Sequence, residues 1–78
     1  MLLRGDKMVM PGTLGERIQN ALDMRDMTQA DLARVTGLST GLIAQIVSGR
    51  TKDPRFTTVV TIARALDVSL NYLAGYKK

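Results

Sequence analysis

Cysteine, histidine and tryptophan are all absent from the 78 residues. Without cysteine there is no disulfide and no thiol nucleophile. Without histidine there is no imidazole base, and the two absences together remove the usual zinc-finger ligands. No metal and no cofactor is expected, and the fold must hold by packing alone. Aromatic residues are limited to one Phe and two Tyr. The core must therefore be aliphatic, built from Leu, Ile, Val, Met and Ala, which suits helices packed on helices. No apolar run approaches the roughly 20 residues that cross a bilayer. The start, Met1-Leu2-Leu3-Arg4-Gly5-Asp6, has too short an apolar stretch for a signal peptide. These absences predict a cytoplasmic chain with no membrane partner. No nucleophile–base pair and no Gly-rich phosphate loop is visible, so the chain is not read as an enzyme.

What is present points to one small domain with a modest core. Apolar residues make up 45% of the chain, too many for a disordered one. Eleven Lys and Arg against seven Asp and Glu give a net charge of +4, which favours a polyanion partner. The distribution sharpens that inference, because Arg50, Lys52 and Arg55 fall in a single loop.

Residues 1–12 carry no period and end at Pro11-Gly12, a breaker. They are expected to form a flexible tail, with Arg4 and Lys7 as a candidate basic arm. The domain proper is expected over 13–76. Thr13 to Glu16 reads T-x-x-E, a capping box, and Leu14, Ile18, Ala21 and Leu22 then share one helical face. Helix 1 is predicted at about 14–26, with Met24 and Met27 filling core gaps. Thr28 caps helix 2, about Gln29–Thr36, with Asp31 in its first turn and Leu32 and Ala33 inward. Gly37 supplies a left-handed C-terminal position. Ser39 caps helix 3, about Thr40–Ser48, whose inward stripe is Ile43, Ile46 and Val47, and Gly49 stops it. Helix 4 spans about Phe56–Leu66. Ser69 caps a short helix 5 that ends near Ala74-Gly75. Arg17, Arg25 and Arg34 read as surface charges, some paired with Asp23 or Asp31 at helical spacing.

A helix-turn-helix needs a small residue where its two helices cross, a positive-φ residue four positions later, a plug at the corner and anchors under the second helix. Ala33, Gly37, Leu38, and Ile43 with Ile46 fit those places in order. The sequence here resembles the repressor and Cro family of phage and bacterial helix-turn-helix proteins. The residues that carry the resemblance open with Thr28-Gln29-x-x-Leu32-Ala33-x-x-x-Gly37-Leu38-Ser39. They continue with Ile43-x-x-Ile46-x-x-Gly49-Arg50, then Pro54, and close with Ile62-Ala63-x-Ala65-Leu66-x-Val68-Ser69-Leu70-x-x-Leu73. The resemblance covers about Thr13 to Ala74. It implies an all-α, five-helix repressor-like domain in which helices 2 and 3 form the DNA-binding motif.

The outward face of helix 3 then decides specificity, since its N-terminal end meets base edges in such motifs. Candidate base contacts are Thr40, Gly41, Leu42, Ala44 and Gln45. Gln45 is the best reader, because its amide can pair with adenine N6 and N7 together. Thr40 can donate through its hydroxyl and touch a thymine methyl. Gly41 lets the backbone come close, and Leu42 offers an apolar edge. No Arg or Lys lies between Thr40 and Ser48, a departure from many relatives that shifts weight to methyl contacts and DNA shape. Candidate phosphate contacts are Gln29, Ser39, Ser48, Arg50, Thr51, Lys52 and Arg55. The resemblance gives Gln29 that role at a helix N-terminus, and the segment from Arg50 to Arg55 resembles the phosphate-binding loop of lambdoid phage repressors. Asp53 interrupts its basic run.

The family further implies a homodimer joined through the helix 4–5 region, with Phe56, Val68, Leu70 and Tyr72 as the interface. The expected function is a sequence-specific transcriptional regulator, a repressor that binds double-stranded DNA at a palindromic operator. The rival is a protein-interaction module on the same fold, such as an antitoxin with a protein partner. Lys77-Lys78 follows helix 5 directly, where a linker would begin in a longer repressor.

Overall fold

The computed structural model describes residues 12–51 and 53–75, and within them runs α1 (Leu14–Met24), α2 (Gln29–Thr36), α3 (Thr40–Ser48), α4 (Phe56–Leu66) and α5 (Leu70–Ala74). Each of these helices begins at a residue with extended backbone, and in all but α4 the side-chain hydroxyl of that residue accepts a backbone N–H. Thr13, Thr28, Ser39 and Ser69 are those caps. Each satisfies a donor that the first turn would otherwise leave without a partner. There is no strand among the described residues. The predicted tail lies outside them except for Gly12.

All five helices contribute to one core. Ile18 and Leu22 come from α1, Leu32 from α2, Ile43 and Ile46 from α3, Ile62 and Leu66 from α4, and Leu73 from α5. Each is fully buried, and such a side chain contributes roughly 1.5–3 kcal/mol relative to leaving it exposed. Among the described residues no polar or charged side chain is buried with them. Val47 lies at the margin of this core, half-buried.

Helix α1 is shorter than its periodicity predicts. It stops at Met24 because Asp26 turns left-handed at φ 56°, and the Met27 N–H reaches back to the Leu22 carbonyl at 2.9 Å. That long closing bond is a helix terminator usually built on Gly, and Asp is one of the few other residues that take the conformation. The same early stop corrects the reading of Met24, which is 72% exposed rather than core. Met27 does pack against the core, half-buried.

Two arginines are also more than surface charges. Arg25 Nε donates to the Leu66 carbonyl and its Nη2 to that of Asp67 at 3.1 Å, so it closes the C-terminal end of α4. Arg17 Nε donates to the Leu73 carbonyl at 3.0 Å, near the end of α5, and its Nη1 donates to that of Gly12. Cations suit helix C-termini because the last carbonyls lack partners and carry the negative end of the dipole. Arg34 does follow the predicted helical pairing, with Asp31 at 2.8 Å.

Candidate nucleic-acid interface

The α2–turn–α3 unit is fixed from both ends. At the turn, the Gly37 N–H donates to the Ala33 carbonyl at 2.9 Å while Gly37 takes φ 78°. The Thr36 hydroxyl donates to the Leu32 carbonyl at 2.7 Å and accepts from the Leu38 N–H at 3.2 Å. Leu38 packs half-buried on the core, Ser39 caps α3, and Ile43 and Ile46 drive its inner face into the interior. At the far end of α3 the backbone of Gly15 in α1 sits against the Ile46 and Val47 carbonyls. With both ends fixed, the outer face of α3 is held rigidly toward solvent.

That face carries Thr40, Gly41, Ala44, Gln45 and Ser48, all exposed. Leu42 is half-buried and leans on the core, so only part of it faces outward. Ala44, Gln45, Ser48 and Arg50 line one open depression of about 270 Å³. Gln45 is tied to the loop that follows. Its carbonyl accepts from the Thr51 N–H at 3.1 Å, and its Oε1 from the Thr51 hydroxyl at 3.5 Å. Both bonds use its accepting atoms, so the side-chain amide can still donate. The Ser48 hydroxyl hydrogen is committed to the Gln45 carbonyl at 3.2 Å. Ser39 Oγ accepts from the Leu42 N–H at 3.0 Å, which leaves its own hydrogen to donate.

The other candidate phosphate contacts flank this face in the chain. Arg50 and Arg55 are exposed on either side of the loop, and Arg55 starts α4 without a side-chain cap. Lys52 lies outside the described residues. Gln29, the first residue of α2, is half-buried, and its Nε2 donates to Gln19 Oε1 at 3.2 Å. Beside it, the Thr28 Oγ1 accepts from the Asp31 N–H at 3.0 Å, and Asp31 Oδ2 accepts from the Thr28 N–H at 3.0 Å. The Thr28 backbone bond and then its hydroxyl hold the Asp31 carboxyl below its usual value; desolvation opposes them, and Arg34 adds a lesser lowering.

The four expected interface residues divide into two kinds. Phe56 is 71% exposed and Leu70 38%, and they line an open groove of about 490 Å³ with Leu14, Pro54 and Val59. Val68 and Tyr72 are half-buried and partly committed to their own core. The Tyr72 hydroxyl also accepts from Asn20 Nδ2 at 2.9 Å.

Several residues that shape the site were not legible as such. The spacing of Gln19 and Asp23 shows that they share a helix face, but nothing local links Gln19 to Gln29. Gly15 reads as a weak helix residue rather than a point of close approach.

Residues 18–73 match the helix-turn-helix family model. Over 62 residues the chain is 42% identical to the HTH-type transcriptional regulator for conjugative element SXT of Vibrio cholerae, and equally to that for conjugative element pMERPH of Shewanella putrefaciens. The aligned region covers 80% of this chain but 28% of either relative, so the chain spans less than a third of the length of the curated relatives it matches.

Proposed function

The chain belongs to the helix-turn-helix family, and from that membership we propose that it is a transcriptional regulator that lays α3 in the major groove of double-stranded DNA. The observation that carries the reading is the division of α3 into two faces. Ile43 and Ile46 are buried, while Ala44, Gln45 and Ser48 open into one depression with Arg50. A helix anchored so firmly on one side and polar on the other suits a groove wide enough to admit it. Thr40, Gly41, Ala44 and Gln45 read base edges, with a minor contribution from Leu42. Gln29, Ser39, Arg50, Thr51, Lys52 and Arg55 hold phosphates and set the register. Ser48 must first release its hydroxyl from the Gln45 carbonyl to join them, and the Thr51 hydroxyl must first leave Gln45 Oε1.

A palindromic operator follows if two copies act together, since a two-fold protein pair presents two equivalent reading helices. The exposed Phe56 and Leu70 are the surface we assign to that pairing, with Val68 and Tyr72 behind them. Occlusion of a promoter is the simplest regulatory action for such a dimer. The named relatives regulate conjugative elements, and a mobile genetic element is the setting we propose here.

A specific observation keeps a second reading in play. The outer face of α3 carries no Lys or Arg, as would suit a protein-interaction module of antitoxin type. Titration of duplex binding against salt separates the two. The DNA reading expects log affinity to fall steeply with log salt, by about 0.9 per phosphate neutralised, and Lys52→Ala to lower that slope by roughly 1 per site. A slope near zero would reject it. Selection from a randomised duplex library should then return a palindrome.

A further inference from the structure

Helix α1 supplies none of the base or phosphate contacts assigned above, yet one of its side chains reaches the first residue of α2. Gln19 Oε1 accepts from Gln29 Nε2 at 3.2 Å. The Nε2 of Gln19 donates in turn to Asp23 Oδ1 at 2.9 Å, one turn further along α1. An ionised carboxylate can only accept, whereas a primary amide has one accepting end and one donating end. Asp23 therefore takes the N–H end of Gln19 and turns its carbonyl end toward Gln29. One hydrogen of Gln29 Nε2 is then held, and the second stays open.

The neighbouring backbone adds further donors. The capping box occupies the N–H groups of Thr28 and Asp31. Among the described residues, no protein acceptor stands opposite the N–H groups of Gln29 and Ala30. Open donors are thus gathered at residues 29 and 30.

We propose that Gln19, itself oriented by Asp23, is a positioning residue for phosphate binding. It holds the Gln29 amide so that its second hydrogen and the adjacent backbone donors converge on one phosphate oxygen set. The inference rests on the phosphate role given to Gln29 above. Its physical basis is that an amide already held loses less rotamer freedom when the phosphate arrives. A simple helix-stabilising Gln–Asp pair at i,i+4 spacing would instead act on α1 alone and have no bearing on Gln29.

A double-mutant cycle on the full chain distinguishes these roles, with a random-sequence DNA duplex as the probe and thermal unfolding measured alongside. Gln19→Met keeps the length of the side chain and removes its hydrogen bonds. It should weaken duplex binding by about fivefold in the otherwise unchanged chain, the scale of one lost hydrogen bond. In a Gln29→Ala background the same change should cost less than about twofold. The unfolding midpoint of Gln19→Met should stay close to that of the parent. Equal losses in both backgrounds, with Gln29→Ala itself weakening binding, would overturn the positioning role and leave the phosphate role of Gln29 standing. If Gln29→Ala binds the duplex like the parent chain, the phosphate role fails and the positioning role fails with it.

Discussion

Gly15 in α1 and Val47 in α3 meet backbone to backbone. A Cβ at residue 15 would collide with the Val47 carbonyl oxygen and lie 2.7 Å from that of Ile46. Both neighbours are main-chain atoms, so no rotamer change relieves the clash. In an open helix Gly→Ala gains up to about 1 kcal/mol. Here Gly15→Ala should instead destabilise by about 1–3 kcal/mol, the range for overpacking a tight contact. A shift of the urea midpoint to lower concentration at unchanged m-value would show it. A stabilised variant would mean that α1 and α3 are not in this close register.

Two glycines near the reading face should respond in opposite directions. Gly37 has φ 78° and nothing within 4 Å of where a Cβ would stand, so any penalty there is backbone strain alone. Gly37→Val should cost roughly 1–3 kcal/mol, because a β-branched residue is poorly tolerated in that region. Gly41 is helical and equally uncrowded. Gly41→Ala should raise the unfolding midpoint while weakening operator binding, since the new methyl enters the space left for a base edge. Tighter binding by Gly41→Ala would remove Gly41 from the interface.

Gln45→Ala should relax preference at one base pair per half-site and leave the salt slope unchanged. A bidentate amide–adenine contact is worth roughly 1–3 kcal/mol of discrimination. Thr40→Ala should lose less, because one hydroxyl adapts to several acceptors. Binding to a panel of single-base operator variants provides the measurement. A loss of affinity spread evenly over the panel would give Gln45 a phosphate or a protein partner instead of a base.

Acid should weaken the start of α2. The Asp31 carboxyl is held below its ordinary value by the Thr28 bonds and Arg34. A group lowered in the folded state contributes stability that is present above its unfolded pKa, about 3.9 for Asp. That contribution fades as pH falls through the lower folded value. Asp31→Asn should therefore melt below the parent at neutral pH, and the two midpoints should converge below about pH 4. A gap that persists unchanged into that range would assign the effect to packing rather than ionisation.

The fold was readable from the chain to the extent that its punctuation is local. Thr13, Thr28, Ser39 and Ser69 announce helix starts by capping chemistry, and Gly37, Gly49 and Gly75 each turn left-handed at an end. The end of α1 lacked such a signal, because Asp26 does there what Gly does elsewhere. The arginines show the same limit at longer range. Arg17 and Arg25 have no acidic residue three or four positions away, and they donate instead to carbonyls 56 and 41 residues on, respectively, at Leu73 and Leu66. Local spacing identifies which residues share a face and cannot say which distant carbonyl lies across from them. The Gln19–Gln29 bond is hidden from local spacing for the same reason, since it depends on how α1 and α2 cross.

The two-faced character of α3 also bears on how such a domain can change over generations. Apart from the half-buried Leu42, the residues that would read DNA are exposed, and Ile43 and Ile46, which hold the helix in place, are buried. Substitutions at Thr40 or Ala44 touch almost nothing that keeps the chain folded, and those at Gln45 lose only its Oε1 bond to the Thr51 hydroxyl; surface changes of this kind usually alter stability by within about 0.5 kcal/mol. Recognition can therefore drift while the scaffold stays put, so a duplicated copy could acquire a new target through a handful of point mutations and never pass through an unfolded ancestor.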